Sequence, residues 1–301
     1  MSKENFNDIG IVLRKDTPSI HENTIHIIEF LIAEEKNVTL DEVSFTEIEK
    51  ELFENKIDDK VLTVPLSTLG QYCDVVIVIG GDGTLLTVAR NIVDYNVPVI
   101  GVNRGRLGFL TQVTWKNESI QTIKDILSGQ YIEERRIMLE GKIIRNSTIL
   151  HEALVLNEVT ISRGGRGNLI KFEVFINGEF VYTQYSDGLI IATPTGSTAY
   201  SLAAGGSILY ATLPALNLVP ICPQSMTNRP VVIDANSHIE VLIIDSVDSR
   251  AHFDGQTLFE LHNRDIIHVE KHENFITLLQ PGYYRYFDTL RMKLRWGQQL
   301  V

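Results

Sequence analysis

The chain has 301 residues and a formal net charge of −11 at pH 7. That length accommodates one large domain or two ordinary ones. Hydrophobic content of 44% and charged content of 22% are those of a soluble globular protein, and the acidic balance argues against nucleic-acid binding and against docking on anionic membranes.

Cys73 and Cys222 provide neither a disulfide framework nor a metal-binding spacing. No apolar run approaches the ~20 residues of a membrane helix, and the N-terminal Met-Ser-Lys-Glu-Asn-Phe-Asn-Asp has no apolar signal region. A reduced, cytoplasmic setting is therefore expected. The eight histidines form no metal-binding pattern such as H-E-x-x-H and read as surface or satisfied core residues.

Asp8–Leu13 reads as a short apolar strand, followed by Arg14, Lys15 and a turn at Pro18. Ser19-Ile20-His21-Glu22 fits a capping box and predicts a helix with Ile20, Ile27, Ile28, Leu31 and Ile32 on its apolar face, ending near Glu35. Residues 38–43 suggest a strand, and 47–59 a charged surface helix or loop. Val75–Ile79 is an unbroken apolar run, as expected of a strand buried on both faces of a parallel sheet. After the turn at Gly80-Gly81-Asp82-Gly83-Thr84 a helical spacing resumes, and 97–102 reads as a further strand. The alternation of β and α predicts an open parallel sheet with flanking helices.

Residues 120–127 suit a helix closed by Ser128-Gly129, and beyond it the periodicity changes. Residues 136–144 alternate, 153–161 read as one strand, and 172–176 and 180–185 flank Asn177-Gly178, a type I′ hairpin signal. Short strands are expected at 189–192, 231–233, 239–244, 258–261 and 266–269. A boundary within 113–130 separates a first domain, residues 1–115, from a β-rich second domain, 116–276. Helical spacing through Tyr286, Leu290 and Leu294 predicts that 277–301 returns to the first domain.

Three glycines around one carboxylate, between a strand end and a helix start, give a turn with little side-chain bulk and several free backbone N–H groups, suited to phosphate. Asp82 then has three readings: a helix cap, a metal ligand, or a group that handles a proton during phosphoryl transfer. The strand at 97–102 leads into Asn103-Arg104-Gly105-Arg106-Leu107-Gly108-Phe109-Leu110, whose arginines can offset phosphate charge.

In the β-rich region, Leu156-Asn157-Glu158-Val159 sets an amide beside a carboxylate within a strand-like run. Both side chains reaching one ligand would require an irregular strand end. Ser186-Asp187-Gly188 precedes a buried strand, and residues 193–206 concentrate small and hydroxylated side chains, with Tyr200 available to stack on a ring. So many small residues contribute little to a core, which favours close approach of backbone and ligand. His252-Phe253-Asp254-Gly255-Gln256 reads as a hairpin tip. The loop at 163–167 is Gly-rich and basic, either a phosphate-binding flap or a hairpin connection.

Taken together, these stretches resemble the NAD kinase family, and its bacterial branch most of all. The glycine turn alone is shared with lipid and phosphofructo-kinases; residues 193–206, at their distance from Asn157-Glu158, are the specific part. The resemblance implies a Rossmann-like or phosphofructokinase-like open α/β domain, a β-rich second domain and a C-terminal helix. It implies transfer of the terminal phosphate of ATP to the adenosine ribose 2′-hydroxyl of NAD, giving NADP, with Mg²⁺ or another divalent cation accompanying ATP. In this reading Asp82 accepts the hydroxyl proton, Gly80, Gly81, Gly83, Thr84 and Arg104 bind donor phosphates, and Asp82 and Gly83 also border NAD. Asn157, Glu158, Asp187, Gln256 and the run Thr198, Ala199, Tyr200, Ser201, Leu202 and Ala203 contact the dinucleotide. At Asn168 and Tyr185, relatives often carry a basic or imidazole side chain, so contacts there depart from the family pattern. Homodimers or homotetramers are implied. A lipid kinase and a non-catalytic NAD sensor are the competing readings; the first lacks a membrane-binding face, and the second has no use for Asp82.

Overall fold

The computed structural model describes residues 6–103, 105, 108–115, 119–165 and 168–296. The chain divides into two compact units, Met1–Arg135 with Ile276–Val301, and Arg136–Phe275.

The first unit runs β1 (Asp8–Leu13), α1 (His21–Ala33), β2 (Asn37–Asp41), α2 (Glu42–Glu54), β3 (Val61–Val64), β4 (Val75–Ile79), α3 (Asp82–Ile92), β5 (Val99–Asn103), β6 (Val113–Thr114) and α4 (Ser119–Leu127). The strands pair in parallel in the order β3-β2-β1-β4-β5. β4 is buried at every position, as a strand covered on both faces must be. Ile9, Ile11, Ile77 and Ile79 join Ile27, Ile28 and Leu31 of α1 and Ile48 and Leu52 of α2 in one apolar cluster. Each such side chain contributes about 1.5–3 kcal/mol by leaving water. The sheet grows one way from β1 through β2 and β3, and the other way through β4 and β5. The carboxyl ends of β1 and β4 therefore flank the point where the order reverses, the place where open α/β sheets receive ligands.

Local chemistry corrects several expectations. The capping box does not form: Pro18–Ile20 is a 3₁₀ turn, and Ile20 holds the cap position of α1 with no side-chain bond. The strand expected over 38–43 stops at Asp41, whose carboxylate accepts from the Val43 N–H (3.2 Å) and starts α2. β3 was not foreseen. The expected division at residue 115 falls short of the observed one at Arg135, because α4 sends Ile123, Ile126 and Leu127 into the first unit's core.

The second unit contains most of β7 (Tyr131–Arg145), then β8 (Thr148–Val155), β9 (Glu158–Arg163), β10 (Ile170–Ile176), β11 (Glu179–Ser186), β12 (Gly188–Ala192), α5 (Tyr200–Ala203), β13 (Ala215–Ile221), β14 (Val231–Asp234), β15 (Ile239–Asp245), β16 (Ser249–Phe253), β17 (Thr257–Leu261) and the first part of β18 (Ile266–Pro281). An antiparallel sheet, β14-β13-β12-β9-β16-β17, faces a layer containing β11-β10-β15-β18. Val159, Ile191 and Phe253 of one layer and Phe172, Val241 and Val269 of the other share a core. Asn177 (φ 53°) and Gly178 (φ 79°) make the left-handed pair that a type I′ turn requires. The run 153–161 is two strands, broken at Leu156-Asn157, and β13 and β16 are additional to the expected strands. After β18, α6 (Tyr286–Leu294) belongs to the first unit, as expected of the tail.

Candidate active site

Gly80-Gly81 carries the chain out of β4, and α3 starts at Asp82 with Gly81 in its cap position and no side-chain cap bond. Asp82 therefore does not cap its own helix. Its Oδ1 accepts from the Leu110 N–H (3.0 Å), the Thr111 N–H (3.2 Å) and the Thr111 hydroxyl (3.2 Å), while Oδ2 accepts from the Phe109 N–H (2.8 Å). The carboxylate holds the loop that follows β5 against the start of α3. A Cβ at Gly108 would lie 2.1 Å from Asp82 Oδ1, so that position has no room for a side chain. Gln112 continues the arrangement: its Nε2 donates to the Gly108 carbonyl (2.9 Å) and the Phe109 carbonyl (3.0 Å), and its Oε1 accepts from the Thr289 hydroxyl of α6 (3.2 Å).

Beside this turn is a cavity of about 620 Å³ lined by Arg14, Lys15, Gly81, Asp82, Gly83 and Thr84, among others. Nothing lies within 4 Å of a Cβ built at Gly81 or Gly83, so the backbone there is open to a ligand. The first N–H groups of a helix and its dipole favour an anion at this point. Arg14 and Lys15, exposed at the end of β1, bring positive charge to a cavity that also contains Asp41. Burial pushes the Asp41 carboxyl up, and Ser44 and Val43 donate to it. Arg14 and Lys15 were not among the expected site residues; the available signal was a basic pair directly after an apolar strand. Arg104 lies outside the described residues.

In the second unit the site is organised by Asp254. It sits at the β16–β17 tip with φ 51°, followed by Gly255 at φ 64°. Its carboxylate accepts from the backbone N–H groups of Leu156 (3.0 Å), Asn157 (2.8 Å) and Glu158 (3.2 Å). Three donors on one carboxylate bend the chain between β8 and β9, which supplies the irregular strand end that the adjacent amide and carboxylate needed. The Thr193 hydroxyl donates to the Leu156 carbonyl (2.5 Å), and the Thr193 N–H donates to the Asn157 carbonyl (2.9 Å). A Cβ at Gly196 would lie 2.2 Å from the Asn157 carbonyl oxygen, so glycine permits this close approach.

Glu158 is 6% exposed, and its Oε2 has no hydrogen-bond partner among the described residues. Burial, and then the charge of Asp254, push its carboxyl up to about 8. The hydroxyls of 193–206 are largely engaged within the protein. Ser197 donates to the Pro194 carbonyl (2.6 Å), Thr198 donates to the Thr195 carbonyl (3.1 Å), and buried Ser201 accepts from Asn217 (3.4 Å). Tyr200 is exposed, and Thr198, Ala199 and Leu202 are partly exposed. Gln256 is exposed at the hairpin tip beside Asp254.

Asp187 is paired with Arg163 (Nε–Oδ1 2.5 Å). It adjoins the far end of β9, five residues along from Glu158, which is roughly 17 Å at strand rise. A ligand touching both carboxylates must be extended. Tyr185 is exposed with the Lys171 ammonium 5.2 Å from its ring centroid, and Asn168 is exposed just before β10.

Residues 9–131 match the family model described as the ATP-NAD kinase N-terminal domain, and 156–280 that of the ATP-NAD kinase C-terminal domain. The chain is 49% identical over 296 residues to the NAD kinase of Neisseria gonorrhoeae (strain NCCP11945), covering 98% of this chain and 99% of the relative. It is 42% identical over 296 residues to the NAD kinase of Laribacter hongkongensis (strain HLHK9), with the same coverage. A solved yeast NADH kinase complexed with NADH superposes with a TM-score of 0.87 at 26% identity, covering 99% of this chain and 90% of that one. An NAD kinase from Archaeoglobus fulgidus in complex with ATP shares the fold at a TM-score of 0.68 and 23% identity, covering 95% of this chain and 98% of that one.

Proposed function

The chain belongs to the NAD kinase family and phosphorylates NAD at the expense of ATP, and from that premise we propose that Asp82 accepts the proton of the adenosine ribose 2′-hydroxyl as the phosphate is transferred to it. The carrying observation is the asymmetry of its carboxylate. Among the described residues, Oδ1 accepts three hydrogen bonds and anchors the loop, while Oδ2 accepts one and keeps lone-pair capacity for a hydroxyl. Phosphoryl transfer depends chiefly on positioning and charge stabilisation, so a fixed acceptor beside a phosphate cradle is the arrangement required.

The donor phosphates sit over Gly80, Gly81, Gly83 and Thr84, drawn by the α3 N-terminus and by Arg14 and Lys15. Arg104 is retained as a proposed phosphate contact. The cavity's two carboxylates, Asp41 and Asp82, already accept protein hydrogen bonds, which fits a divalent cation held mainly by phosphates and water. Mg²⁺ bound with ATP would neutralise phosphate charge. Asn157, Glu158, Asp187, Asn168, Tyr185, Gln256 and the stretch Thr198, Ala199, Tyr200, Ser201, Leu202 and Ala203 bind NAD. The protonated Glu158 carboxyl can donate to a ribose oxygen or a ring nitrogen, and Tyr200 presents a ring face. Asp187 accepts from an amide or amino group of NAD once Arg163 yields.

We further propose a cytoplasmic enzyme that assembles as a homodimer or homotetramer. Among the described residues no helix is long and apolar enough to cross a membrane, and both cysteines are free. Edge strand β14 leaves Val231 and Val232 exposed, an apolar edge that a second copy would cover. The test of the central proposal is Asp82→Asn with NAD, ATP and Mg²⁺. NADP formation should be lost while calorimetry still detects NAD binding; full turnover would remove Asp82 from the acceptor role.

A further inference from the structure

Away from these residues, one cluster has the composition of a transition-metal site. The β15–β18 ladder pairs Ile239 with Val269 and Glu240 with His268. Ile239 and Val269 are buried, so His238, one residue before β15, and His268 and Glu270 on β18 project together from the opposite face. Their ligand atoms lie within 4.8 Å of one another. His238 Nδ1 is 2.9 Å from Glu270, and the His238 and His268 rings stack with centroids 6.1 Å apart. Ligand atoms around a tetrahedral ion bound at ~2.0–2.1 Å stand about 3.4 Å apart, so small side-chain rotations suffice to close the site.

We propose that His238, His268 and Glu270 bind one Zn²⁺ or a similar borderline divalent ion, bridging β15 and β18. Two imidazoles and one carboxylate favour Zn²⁺, Ni²⁺ or Cu²⁺ over Mg²⁺ and Ca²⁺, which prefer all-oxygen sets. Glu270 is pre-positioned: Lys142 Nζ lies 3.5 Å from its Oε1, while Oε2 faces His238. The ion would take the place of the direct His238–Glu270 contact, and water would complete its shell. Glu240, exposed, opposite His268 in the ladder and two residues from His238, offers a further carboxylate on the same face. No substrate-binding residue named above is included, so the ion serves as a staple across the second unit rather than as part of the phosphoryl-transfer machinery.

The full chain, freed of metal, should bind one Zn²⁺ saturably in calorimetry, and Co²⁺ should develop the visible absorption of a nitrogen-ligated site. His268→Ala and His238→Ala should each weaken Zn²⁺ binding by at least about tenfold and abolish the Co²⁺ bands. Both side chains reach the surface, so the variants fold and keep their Mg²⁺-supported kinase activity. Absence of saturable Zn²⁺ binding, or equal affinity in wild type and both variants, overturns the assignment.

Discussion

Replacing Glu158 by glutamine is expected to flatten the pH dependence of stability. Its carboxyl is ordinarily near 4.5 and is pushed up to about 8 by burial and by Asp254. A carboxyl with a higher pKa folded than unfolded binds more protons in the native state. Its contribution is therefore most favourable below 4.5, declines as pH rises, and levels off above about 8. At roughly 1.4 kcal/mol per pH unit, ionisation costs the native state about 5 kcal/mol over that interval. About 2 kcal/mol of this is lost by ~pH 6 and nearly all by ~pH 9. Glutamine does not titrate, and its added amide donor, placed where Oε2 has no partner, costs about 1–3 kcal/mol at every pH. The stability difference between variant and wild type should thus shift by about 2–3 kcal/mol in the variant's favour between ~pH 6 and ~pH 9. Urea unfolding of both proteins without nucleotide, at a series of pH values, measures that shift. Parallel stability curves would refute the assignment of a raised carboxyl to Glu158.

Asp254→Ala should lower stability by about 3 kcal/mol or more, since it strips three backbone N–H groups of their acceptor, and raise KM for NAD; thermal denaturation and kinetics read both. Gly108→Ala forces a Cβ against Asp82 Oδ1 and should cost about 1–3 kcal/mol together with most of the turnover number, read from Tm and kcat. Arg14→Ala should raise KM for ATP about tenfold, leave KM for NAD unchanged, and weaken the salt dependence of ATP binding. Burial chiefly, with Asp8, pushes the Cys73 thiol up to about 12, so a thiol reagent near neutral pH should label only Cys222 until the protein is unfolded.

The parallel sheet was legible because β4 carries five consecutive apolar residues with a glycine turn directly after them. The Asn177-Gly178 hairpin was legible because that dipeptide adopts left-handed backbone at little cost. What escaped depends on partners distant in sequence. The bend at Leu156-Asn157 is imposed by Asp254, 97 residues beyond Asn157. The Asp-Gly pair was read correctly as a turn, but nothing local shows where its carboxylate points. Asp82 likewise bonds residues 27 to 29 positions away, so its choice of loop over helix cap was invisible. The capping box failed because Pro18 starts a 3₁₀ turn that puts Ile20, which has no polar group, at the cap. Asn217 and Pro220 hid β13, since neither residue is typical of a strand interior.

The link from Thr289 through Gln112 to the Gly108 and Phe109 carbonyls makes α6 a tensioning element for the loop that Asp82 holds. Lys293, over the Phe109 ring at 5.3 Å, pulls on the same loop. A bulky carboxyl-terminal fusion, or a protease cut just before Tyr286, would slacken the loop without touching a nucleotide. Such a protein should lose turnover in proportion to the unravelling of α6.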